Sequence, residues 1–320
     1  MGSPKDPLLE NEATDRTYYA TGVLLDTTDF VAEQSYHRGR LARALSALHG
    51  IGTASGLSVT YEPHHKVSPD DPTDLAKAKE VGEIVVSPGI AIDPLGRLVE
   101  VTTKSCIRVK RWYEGQEPSK LVRRLDEHFN VGPSAVDLPE EGVVADLFLR
   151  FRVYERGWTP AMASGLYDAT DAVSPARLRD GYELRLVPRG EQGQNPPSVP
   201  PSPWPLPDGG KTWPERPEEN QDPATRVSDL KKAILSSWHP GRPALLDKLW
   251  SSNFLPHELR YENNLPVEDP AWVFLARVVI GVTGNADSSG RSNRTGVVAV
   301  DNEMRPFAVT VAALARWLGI

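Results

Sequence analysis

The chain has 320 residues, with 36 Lys and Arg against 43 Asp and Glu, 29 prolines and one cysteine. Its length exceeds one typical domain, and the net charge of −7 argues against a sequence-independent nucleic-acid binder, which needs a basic face. Cys106 alone excludes an internal disulfide or a multi-thiolate zinc site, and no apolar run approaches the roughly 20 residues that span a bilayer.

Residues 1 to about 17 are polar and show no basic segment followed by an apolar core, so a cytoplasmic product is expected. Tyr18 to Leu25 reads as a short strand. A helix follows, with Asp29 or Thr28 as N-cap and Glu33 near its start. Phe30, Gln34, His37, Leu41, Leu45 and Leu48 fall near one face at helical spacing, which is expected to be the buried face. Gly50, Gly52 and Gly56 end the helix. Strands are expected at Leu57–Tyr61, Glu83–Ser87, Gly89–Ile92 and Arg97–Val101, extended by Cys106–Val109, with Cys106 a buried thiol. A β-meander packed on the helix accounts for this first module, residues 1–112.

A charged connector, 113–142, carries an expected short helix around Leu121–Phe129. The second module, 143–320, opens with the strand Val143–Tyr154, where apolar residues alternate with Asp146, Arg150 and Arg152. A helical turn at Ser174–Arg179 leads into a strand at Tyr182–Val187. Trp272–Val282 and Gly296–Val300 complete four strands expected to share one sheet. Between them, at about 190–265, lies an insertion whose stretch 190–223 holds ten of the 29 prolines. Proline removes ladder donors and fixes φ, so this stretch is extended rather than core. Val227–Leu235 and Pro243–Trp250 read as helices, and Val309–Leu318 as a short C-terminal helix. The fold class is therefore α+β.

The sequence lacks a P-loop, a G-x-S-x-G elbow and an HExxH motif. His37 and His49 sit about 18 Å apart along one helix and cannot share a metal; His49 is placed to cap the helix C-terminus. Asp93-Pro94-Leu95-Gly96-Arg97 has too few oxygens for calcium and reads as a β-turn. No catalytic set, cofactor site or metal site is expected. Trp112, Trp158, Trp204 and Trp213 serve either as sugar platforms or as interface anchors. Trp204, Trp213, Trp317 and Leu318 are the leading interface candidates.

Three motifs carry a resemblance. Asp29, Phe30, Glu33, Gln34, Tyr36, His37, Arg40 and Leu41 form the first. Leu48, His49, Gly50, Gly52, Gly56 and Leu57 form the second, and Pro88, Gly89, Ala91, Asp93, Gly96 and Arg97 the third. Ser174–Leu184, Trp272–Val278, Asp301 and Arg305-Pro306 add shorter pieces. Together they resemble an uncharacterised bacterial family associated with phage-tail-like contractile injection systems. The resemblance implies a non-enzymatic structural subunit in or around a baseplate. Its partners would be other subunits of a multi-copy particle, without nucleic acid or membrane insertion. The alternative is a carbohydrate- or surface-binding module.

Overall fold

A computed structural model describes residues 6–9, 15–63, 73, 81–132, 135, 137–160, 173–190, 196, 222, 224, 225, 228, 255–286 and 290–308. The architecture is α+β with β dominant, as expected. The helices expected at 227–235, 243–250 and 309–318 lie outside the described residues, apart from isolated positions.

Helix α1 spans Thr27–His49. Its N-cap is Asp26, not Thr28 or Asp29. The Asp26 carboxylate accepts from the backbone of Thr28 and Asp29, and Asp29 returns a bond to the Asp26 backbone. Asp29 thus completes the capping box, and Glu33, near the helix start as expected, accepts from the Tyr19 hydroxyl. Tyr18–Leu25 forms no strand.

Six short strands follow: β1 Gly52–Gly56, β2 Val59–Glu62, β3 Glu83–Val86, β4 Gly89–Ile92, β5 Leu98–Val101 and β6 Ser105–Arg108. They do not pair as one meander but as two three-stranded antiparallel sheets, β1-β4-β5 and β2-β3-β6. Cys106 is exposed rather than buried, because β6 is an edge strand whose Ser105 and Ile107 point the other way. Helix α2, Val109–Glu114, follows. The helix expected around Leu121–Phe129 is instead β7, Arg123–Leu125, and a single 3-10 turn.

The four expected strands do share a sheet. Strands β8 (Glu141–Pro160), β9 (Val173–Pro188), β12 (Trp272–Ala286) and β13 (Ser292–Asp301) are joined by β7. A short helix α3 (His257–Arg260) and a two-residue hairpin, β10 (Tyr261–Glu262) with β11 (Leu265–Pro266), precede β12. The order is β13-β12-β8, with β7 and β9 sharing the far edge of β8. Ser174–Arg179 is strand, not a helical turn.

Both faces of this sheet are covered. One face, with Ala145, Leu147, Leu149 and Phe151, joins Leu57, Val59, Ile84 and Val101 in a single hydrophobic cluster that spans both expected modules. The other packs Phe148, Trp272 and Phe274 against Leu255 and Leu259. Double burial explains why Asp146 and Arg150, placed on the apparently polar face, are also buried. Asp146 accepts from Arg277 at 2.8 and 3.0 Å, and Arg150 donates to Glu183 while lying 4.4 Å over the Trp272 ring.

Helix α1 meets this body by a narrow strip. Ser35 and Ala42 are buried, whereas Phe30, Leu41 and Leu48 are 52%, 56% and 59% exposed. The face expected to be core therefore points outward. The reason is the packing partner: a turn, not a sheet, lies under the helix, and only small residues admit it. Gly96 has φ +84°, and a Cβ there would sit 1.9 Å from the Ala42 carbonyl oxygen.

Candidate assembly site

Residues of the second and third motifs converge on a junction rather than on a cleft. Asp93, fully buried, accepts from the backbone N–H groups of Leu95 and Arg97, and from Arg97 Nε at 2.6 Å. The rest of the Arg97 guanidinium donates to Asp6 at 2.9 Å and Asp269 at 2.8 Å, and lies 4.8 Å over the Phe151 ring. Arg38 of α1 also reaches Asp6, at 3.4 Å. One side chain thus ties the N-terminal segment, the β4–β5 turn, the loop before β12 and strand β8. Burial pushes the Asp93 carboxyl up to about 6; Arg97 pulls it down and Asp269 adds to the rise. Arg97 is raised above its ordinary range: burial works against its charge, and Asp93, Asp269 and Asp6 outweigh that.

The glycines of the second motif permit close backbone approach. Gly52 (φ +127°) would place a Cβ 2.2 Å from the Pro306 carbonyl oxygen, and the neighbouring Thr53 N–H donates to that oxygen at 2.8 Å. Gly56 (φ +64°) stands equally close to the Pro88 carbonyl, beside Gly89. Arg305 donates to the Leu57 carbonyl at 2.6 Å, and Asn302 exchanges two bonds with the Val59 backbone. The Arg305 pKa falls to about 10, by burial against the attraction of Asp301.

His37 and His49 take no part in the junction contacts described above. His37 is exposed, 3.8 Å from Glu33 and edge-on to Tyr36. His49 is the last residue of α1, where the Gly50 N–H closes the final turn on Ser46. Among the described residues, no group of three His, Cys, Asp or Glu is arranged to hold a metal ion. The Cys106 thiol is pushed up by desolvation and then by Glu83, opposite to the shift that activates a nucleophile. No helix among the described residues is long and apolar enough to cross a membrane.

A second feature stands apart from the core. Pairing of β12 with β8 ends at Arg150, but β8 and β9 stay paired from Phe151↔Tyr182 to Pro160↔Val173. The two strands thus leave the sheet as a ribbon of about 30 Å. At its root Tyr182 bonds Ser105 at 2.5 Å, and Val153 still touches the core. Further out, Tyr154 is 49% and Trp158 60% exposed. Tyr154 opposes Arg179, Arg156 opposes Arg177, and Trp158 opposes Pro175, all on one face of the ribbon. Like charges opposed across strands are unfavourable. The Tyr154 ring lies where a side chain at position 181 would stand, and its hydroxyl donates to the Tyr182 carbonyl.

The sequence singled out Trp158 without its context. Trp112 is committed to the fold, its indole N–H donating to the Leu186 carbonyl at 2.8 Å. Trp204, Trp213, Trp317 and Leu318 lie outside the described residues. The arginine face of the ribbon was missed, because Arg156, Arg177 and Arg179 become neighbours only through pairing.

The chain matches no family model and no curated protein. Among solved structures, the crystal structure of TssK aligns with 57% of this chain and 36% of its own, at 13% identity and a TM-score of 0.25. The chain thus spans little more than a third of TssK.

Proposed function

We propose that this chain is a non-enzymatic structural subunit of a phage-tail-like contractile injection particle, in or around its baseplate, and that the β8–β9 ribbon docks into a neighbouring subunit. The motif resemblance supports the particle, and the ribbon supports a docking role. A two-stranded ribbon is marginal in water by itself, and this one opposes two arginines between exposed aromatic side chains. That arrangement suits an acidic recess on a protein, where carboxylates relieve the arginine pair and Trp158 serves as anchor. Asp93, Arg97, Gly52 and Gly56 tie the body together behind the ribbon, which suits an architectural role. A glycan platform is less well supported, since Trp112 spends its indole N–H on the core.

The test is incorporation. A chain carrying Arg156→Glu and Arg177→Glu should fold normally, because both side chains are exposed, yet recover poorly with purified particles. Wild-type incorporation of that folded variant would contradict the docking role.

A further inference from the structure

Along α1, Phe30, Gln34, His37, Leu41, Ala44 and Leu48 follow one another in steps of four and three, and all six are exposed. This is the 3.5-residue spacing that one helix presents to another. The opposite side of α1 is already used, with Ser35 and Ala42 buried against the body. We propose that α1 pairs antiparallel with α1 of a second copy of this chain.

The flanking charges select both the partner and the direction. Glu33 and Arg40 border the same side of the seam, one heptad apart. When Phe30 is set against the partner's Leu41, Glu33 lies beside the partner's Arg40, and two-fold symmetry makes the pair twice. A parallel pairing would instead bring Glu33 to the partner's Arg38 and leave Arg40 beside the partner's Leu45, with no carboxylate to meet it. Antiparallel alignment also sets opposite helix ends side by side. It brings Leu48 to the segment preceding the partner's helix, where Val23 and Leu24 are exposed. The contact is read from the helix itself and holds whether or not the chain belongs to a particle.

A rival for the same face is the chain's own tail. The last described residue before it, Ala308, donates to the Thr53 carbonyl at 2.9 Å, just past the end of α1.

The experiment is sedimentation equilibrium of the full chain from about 1 to 100 µM. A concentration-dependent dimer is expected, and Leu41→Glu, a change at an exposed site, should weaken it at least about tenfold. Glu33→Arg and Arg40→Glu should each weaken it, and an equimolar mixture of the two should restore it, since the mixed pair recovers both ion pairs. A monomer throughout, a dimer indifferent to Leu41→Glu, or a mixture that fails to restore association would overturn the proposal. A dimer that appears only after Leu314→Glu and Leu318→Glu would assign the face to the tail and overturn it equally.

Discussion

Arg97 shows how one residue sets local stability. It faces three carboxylates, Asp93, Asp6 and Asp269, so its removal strands buried negative charge. Arg97→Met should cost on the order of 3–5 kcal/mol in unfolding free energy. The same cluster carries a pH signature. The folded Asp93 holds its proton up to about 6, above its ordinary 3.8. Its contribution to stability is therefore complete below the ordinary value and lost as pH rises through the folded one. Asp6 is lowered: burial opposes its charge, but the Leu8 N–H and Arg97 outweigh that. Its contribution is present above 3.8 and lost on acidification. Asp93→Asn removes the first term alone. The melting-temperature advantage of wild type over Asp93→Asn should thus shrink between about pH 4.5 and 7; an advantage that grows would refute the assignment.

At the scale of the element, α1 and β8 divide what sequence reveals from what it hides. The periodicity of Phe30, Leu41 and Leu48 identified the stripe, but not the direction in which it faces. That direction is fixed by a non-local contact, the approach of Gly96 to Ala42, which no local pattern encodes. Leu41→Asp should therefore change monomer stability by no more than about 0.5 kcal/mol in dilute thermal unfolding. Gly96→Ala, at positive φ and against backbone, should cost at least about 2 kcal/mol. Reversal of that order would mean α1 is packed the other way round. In β8 the strand was read as far as Tyr154 and missed from there to Pro160. Beyond that point neither face of the ribbon is core, so the burial that creates a period-two signal is missing. For the same reason Ser174–Arg179 read as a turn. The N-cap at Asp26 was missed because Asp29 at N3 is an unusual stand-in for the Glu or Gln of a capping box.

Over the whole molecule, the chain closes on itself before it reaches outward. Asn302, Arg305 and Pro306 bond back to the segment Gly52–Val59, and one hydrophobic cluster joins the first sheets to the second. The motif glycines and Asp93 were legible as turn residues from residue type alone. Their convergence was not, because Gly52 and Pro306 lie at opposite ends of the chain. Among the described residues, the exposed stripe of α1 and the arginine-lined ribbon both face outward. Docking through that ribbon can be checked by cryo-electron microscopy of particles purified from the producing cells. This chain should then appear at a fixed copy number, with Trp158 and Arg156 buried against acidic side chains of a neighbouring subunit. Particles that lack the chain, or that hold it with the ribbon free in solvent, would contradict it.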